Sequence, residues 1–137
     1  MSYISAFDPS EDKKRNLASK IYDISESVTK FFWDDAPRLG IQQREGQQDM
    51  AFDVLDAIKS GSHVVIEAGV GIGKSFAYLM PILLYNSKTF HPVVIATSTI
   101  ALQEQLLSDM ELLKKWLRLD PDLILAKGKN HIFVSKM

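Results

Sequence analysis

Cysteine is absent from the 137-residue chain. That excludes disulfides, a thiolate zinc site and a thiolate-held iron–sulfur cluster within these residues. Long apolar runs are missing as well. None approaches the ~18 residues that span a bilayer, so no membrane contact is expected. Met1-Ser2-Tyr3-Ile4-Ser5 has neither the basic start nor the apolar core of a secretory signal, and the cytoplasm is the expected location. Charge of one sign is also lacking: 16 Lys and Arg stand against 17 Asp and Glu, a net charge of −1. Composition therefore does not announce a nucleic-acid binder. Residues 114–137 are locally basic, with 6 Lys/Arg against 2 Asp, a balance that an ordinary solvated surface shares. With 46% hydrophobic and 24% charged residues, the chain reads as a single globular domain at most.

What is present is a loop with readable chemistry. Ala68-Gly69-Val70-Gly71-Ile72-Gly73-Lys74-Ser75 follows the apolar run Val64-Val65-Ile66 and precedes the helical pattern Phe76-Ala77-Tyr78-Leu79-Met80. Strand, glycine loop and helix in that order are the context of a phosphate-binding loop. Glycines at 69, 71 and 73 let backbone N–H groups approach phosphate oxygens. Lys74 suits the β- and γ-phosphates as a point charge, and the Ser75 hydroxyl suits Mg²⁺. A helix starting near residue 74 adds its N-terminal dipole. The first position is Ala68 rather than glycine, a small residue that still lets the loop close.

Around this loop the pattern predicts alternating helices and strands. Asp8, Pro9 and Glu11 form a helix start, and Leu17, Ile21, Ile24, Val28 and Phe31 recur as one apolar stripe on a helix ending near Trp33. Asp34-Asp35-Ala36-Pro37 is expected to break it, dividing a helical extension, residues 1–36, from a nucleotide-binding unit, residues 37–137. A second helix is predicted from about Gly46 to Lys59, with Ala51, Val54, Leu55 and Ile58 inward, and a first strand over 63–67. Pro81 should kink or end the helix after the loop. Val93–Ala96 reads as a strand buried on both faces. Thr99 caps a helix whose stripe is Leu102, Leu106, Met110, Leu113 and Leu117. Leu123–Ala126 is a third strand. Fully apolar strands alternating with helices predict an α/β fold with a parallel sheet.

Three further stretches resemble one family of phosphate-loop proteins, the superfamily-2 helicases of the DinG/XPD type. Arg44-Glu45-Gly46-Gln47-Gln48-Asp49-Met50 resembles that family's Arg-x-x-Gln-x-x-Met element. A glutamine amide suits the adenine edge, and the resemblance assigns Gln47 and Arg44 to the adenine side. Residues 67–81 resemble its first helicase motif, including the Ala-Tyr-Leu-x-Pro continuation, with Val70 and Ile72 where threonines are common. Ala96-Thr97-Ser98-Thr99-Ile100-Ala101-Leu102-Gln103-Glu104-Gln105-Leu106 resembles motif Ia, which holds a DNA strand by its backbone. Hydroxyls of Thr97, Ser98 and Thr99 suit phosphate contacts; Thr99 as a plain helix cap is equally compatible. Lys127-Gly128-Lys129-Asn130-His131-Ile132-Phe133-Val134 is similar to the segment that opens the family's iron–sulfur region, with Val134 in place of the first cluster cysteine. Lys127 and Lys129 keep a DNA-facing role in that comparison, and His131 reads as a surface or packing residue.

The resemblance covers about residues 38–136. It implies a RecA-like lobe, ATP and Mg²⁺ as cofactors, single-stranded DNA as the partner of a longer parent, and 5′-to-3′ movement. Helicase ATPases also need an Asp-Glu pair and an arginine from a second lobe. No strand here ends in Asp-Glu, and the nearest acids are Asp49, Asp53 and Asp56. The chain is thus expected to be the front part of such a helicase, binding nucleotide without sustained hydrolysis. An incomplete sheet edge would favour self-association. Two alternatives stay open: another phosphate-loop class such as a kinase or AAA-type ATPase, and a non-catalytic interaction module.

Overall fold

The stripe Leu17, Ile21, Ile24, Val28 and Phe31 does form the inner face of the first helix. In the computed structural model, which describes residues 9–43, 45–69, 73–126 and 132–135, helix α1 spans Pro9–Lys30. Ile21, Ile24 and Val28 are buried and Leu17 half-buried; Asp8, the expected cap, lies outside the described residues. The helical path does not break at Asp34. A π-helical turn, Phe31–Asp35, carries it on, with the Ala36 N–H bonded to the Phe31 carbonyl five residues back. Helix α2, Ala36–Arg38, follows. Pro37 sits in its first turn, where no N–H is required, so proline begins this helix instead of ending one. The turn out of the helix comes at Leu39–Gly40, where Gly40 takes φ +70°.

Helix α3, Gln47–Ser60, buries Ala51 and Leu55 and half-buries Val54 and Ile58, as the periodicity predicts. Gly61 ends it in the left-handed region at φ +64°. Helix α4, Lys74–Thr89, buries Ala77, Leu79, Met80, Pro81, Leu83, Leu84 and Asn86. Burial on nearly every side marks it as the centre of the core: α1, α3 and α5 all pack on it. Pro81 does not end α4, which runs on to Thr89. The lost bond to Ala77 is offset by the burial of the proline ring among apolar neighbours.

Strand β1, Val93–Ala96, forms where predicted, but only one of its faces is covered. Ile95 is buried while Val94 is 63% exposed. Helix α5, Ile100–Leu117, is capped by Thr99, whose Oγ1 accepts from the Leu102 N–H at 3.1 Å, a contact worth about 1 kcal/mol. Its inner face is Gln103, Leu106, Asp109, Met110 and Leu113. Leu102 points outward, 51% exposed. Gln103 takes the inward position at the 3.6-residue period, and being polar it escapes a hydrophobic pattern.

Strands β2, Leu123–Ala126, and β3, Ile132–Ser135, complete a three-stranded sheet in the order β1-β3-β2. Both neighbours of β3 are antiparallel to it: Val93 and Leu123 each pair with Ser135, and Ala96 and Ala126 with Ile132. The described sheet is therefore antiparallel, not parallel. Connection length explains this. β1 and β2 are joined through α5, a crossover that makes them run the same way. β2 and β3 are joined by residues 127–131 alone, far short of the ~12 residues a parallel crossover needs. The strand expected at 63–67 is not formed: residues 62–69 carry no regular structure, and Val65 is 97% exposed and Val64 47%. No described strand pairs with them, and without a ladder an apolar run has no reason to stay extended and buried.

Candidate functional site

Gly73 is the hinge of the loop. It caps α4 at φ +69°, ψ +47°, a left-handed conformation that a side chain would strain. From there α4 begins at Lys74, so the N–H groups of its first turn have no partners within the helix. They point out of the helix end together with its positive dipole. The Lys74 side chain is exposed and Ser75 half-buried. A cradle of this kind fits phosphate oxygens, and the lysine charge and serine hydroxyl beside it fit the donor set that a nucleotide with Mg²⁺ requires.

The Gly73 carbonyl accepts two hydrogen bonds. One comes from the Ala77 N–H at 3.2 Å, the first regular bond of α4. The other comes from Gln47 Nε2, also at 3.2 Å. A carbonyl oxygen has two lone pairs, so both are satisfied at once. Gln47 opens α3 and is only 7% exposed. A Cβ built on Gly73 would collide with its amide nitrogen. The structure thus brings together two residues that sequence places 26 positions apart, the glutamine element and the loop.

Behind Lys74 the surroundings are aromatic. Phe76 lies 5.5 Å from Trp116 between ring centroids, and Trp116 lies 6.1 Å from Phe31 at an interplanar angle of 30°. Phe31 meets Phe32 edge-on, and the Gln43 amide donates to the Phe32 carbonyl. On α4, burial pushes the Tyr78 phenol pKa upward. A hydrogen bond with Ser75 pulls the other way, and the charge of Asp109 adds to the rise. Asp109, on α5, is itself buried and accepts from Gln105 Nε2 at 3.3 Å.

The predicted backbone-contact residues lie together at the end of β1. Thr97 Oγ1 donates to the Thr99 carbonyl at 3.2 Å. Thr99 is exposed but already engaged as the cap of α5, and Ser98 is exposed. Ala68 is half-buried and Gly69 exposed, both in the unpaired 62–69 segment. Asp49, Asp53 and Asp56 all face solvent along the outer side of α3. Arg44, Val70, Gly71, Ile72, Lys127, Lys129 and His131 lie outside the described residues. Among the described residues no group of three or more His, Asp or Glu side chains is placed to hold a metal, and no helix is long and apolar enough to cross a membrane.

Sequence reasoning missed Gln43, Tyr78, Asp109 and the role of Trp116. Trp116 falls three positions beyond Leu113 on α5, at the margin of the apolar stripe, where a helical wheel offers some signal. Gln43 offers none, since its partner is a main-chain carbonyl 11 residues upstream.

Comparison with known proteins adds to this geometry. The sequence profile of the DEAD/DEAH box helicases matches residues 46–132. A protein of Mycobacterium tuberculosis (strain H37Rv), "ATP-dependent helicase DinG", is 38% identical over 120 residues, covering 83% of this chain and 18% of the relative. "ATP-dependent DNA helicase YoaA" of Escherichia coli K12 is 41% identical over 93 residues, 67% of this chain and 14% of the relative. "3'-5' exonuclease DinG" of Bacillus subtilis is 36% identical over 93 residues, 67% of this chain and 10% of the relative. The chain thus spans less than a fifth of the length of these curated relatives. No solved structure matches it.

Proposed function

Because the chain belongs to the DEAD/DEAH box helicase family, whose domain has a RecA-like α/β fold, we propose that it is the ATP-binding segment of a DinG-type, 5′-to-3′ DNA helicase. The observation that carries this reading is the tie between Gln47 and the Gly73 carbonyl, which joins the glutamine element to the phosphate loop. ATP phosphates lie against the N–H groups of residues 68–75. Lys74 reaches the β- and γ-phosphates, Ser75 binds Mg²⁺, and Gln47 with Arg44 borders the adenine. Thr97, Ser98, Thr99 and Lys127 contact the backbone of single-stranded DNA, without reading its sequence. Residues 1–36 serve as an extension whose helix α1 packs on α4 of the nucleotide-binding unit, residues 37–137. The chain binds nucleotide without sustained hydrolysis, a reading supported by the outward position of Asp49, Asp53 and Asp56. A cytoplasmic location goes with this activity.

The test is Lys74→Ala. Loss of a charge-assisted contact worth about 1.5–3 kcal/mol should weaken Mg²⁺-ATP binding roughly ten- to over a hundredfold by calorimetry. Affinity unchanged by the substitution would sink the nucleotide reading. Residues 62–69 carry no regular structure, and no described strand pairs with them. A segment with Val65 97% exposed and an unpaired backbone then recruits a second copy. Light scattering should give a mass above the 15.4 kDa of one chain, and a concentration-independent monomer would count against this.

A further inference from the structure

We propose that Trp116 is a positioning residue for the phosphate loop, through which the π-helical turn at Phe31–Asp35 fixes the pose of α4's first turn; this rests on nucleotide binding at the loop. Trp116 contacts two rings. Phe31, 4% exposed, stacks with it at 6.1 Å between centroids, and Phe76 lies tilted to it at 5.5 Å. Phe76 is the third residue of α4, two positions after Lys74. The cavity among Phe31, Phe32, Gln43, Gln47, Phe76 and Trp116 holds about 10 Å³, at the lower limit of what one water needs. So tight a contact transmits a shift of one ring to the next instead of absorbing it.

Two amides line the same cavity. Gln43 donates to the Phe32 carbonyl within the π turn, and Gln47 donates to the Gly73 carbonyl at the loop. Gln43 is thereby fastened to the turn and Gln47 to the loop. Turns of the π type cost helical regularity and concentrate at functional sites. Here the π turn carries both Phe31 and Phe32 buried against the core.

The chain has 2 tryptophans, and Trp33 is 70% exposed, so Trp33→Phe leaves Trp116 as the sole indole without touching the core. In that background, Mg²⁺-ADP is titrated while Trp116 emission is followed and affinity is measured by calorimetry. The emission should change saturably with a midpoint equal to the calorimetric Kd, and Lys74→Ala should abolish both signals. Trp116→Ala should weaken ADP binding roughly two- to thirtyfold, while Trp116→Phe, which keeps a ring in the stack, stays near the unsubstituted chain. Gln43→Ala, an exposed position outside the core, should weaken binding in the same direction with helicity and melting midpoint unchanged, and keeps the test open if Trp116→Ala does not fold. Lys74-dependent ADP binding with flat Trp116 emission and full affinity in Gln43→Ala would overturn the positioning role alone. Absence of any ADP binding in the unsubstituted chain would instead overturn the nucleotide reading, and this one with it.

Discussion

Leu79→Ala is expected to destabilise the chain by about 2–5 kcal/mol, enough to remove a large part of the stability of a domain this size. Leu79 is fully buried on α4 and belongs to the apolar cluster that joins this helix to α1, α3 and α5. Truncation removes three carbons from a site with neighbours on every side, and a core of fixed helices closes around such a gap only in part. Urea unfolding followed by circular dichroism checks this: the midpoint should fall with little change in slope. A loss below about 1 kcal/mol would mean that the site collapses or that α4 is not the centre of the core. Leu79 also lies inside the stretch that resembles the first helicase motif. Its effect should nonetheless be on stability, because its side chain has no exposed atom to offer a ligand.

Gly73→Ala should strike stability and binding together. A side chain at φ +69° costs about 1–3 kcal/mol in backbone strain, and the new methyl group would occupy the place of the Gln47 amide. Either the loop backbone or Gln47 must move, and both belong to the proposed phosphate cradle. The expected result is a lowered unfolding midpoint together with loss of measurable Mg²⁺-ATP binding. Pairing it with Gln47→Ala separates the causes. The double variant should regain the part of the stability lost to the collision, while binding stays absent. Full additivity of the two substitutions would show that the glutamine and the glycine do not meet.

The helices were legible because their signal is local. The stripe from Leu17 to Phe31 and the cap at Thr99 need only the 3.6-residue period and a hydroxyl to be seen. The Asp34–Pro37 stretch misled because proline ends a helix from within but begins one at its first turn, and only the π turn decides which occurs here. Strands were harder because their state depends on partners remote in sequence. Val64-Val65-Ile66 and Val93-Val94-Ile95 look alike as apolar runs, yet only the second finds a ladder. Strand β3 was hidden inside a segment read for its lysines, although Ile132-Phe133-Val134 is a plain β-type run. At the site, Gly73, Lys74 and Ser75 follow from local pattern. The bond from Gln47 to Gly73 does not, since it depends on how α3 and α4 meet.

Helix α4 is both the anchor of the loop and the middle of the core, so the packing that holds the core also holds Lys74 and Ser75 in place. Mass action then works across the entire fold. A nucleotide bound as proposed, at a hundred times its dissociation constant, would add about 2.7 kcal/mol to global stability. That exceeds a typical surface substitution and rivals the loss of a buried leucine. On the proposed reading, saturation with nucleotide and resistance to unfolding are two readings of one equilibrium.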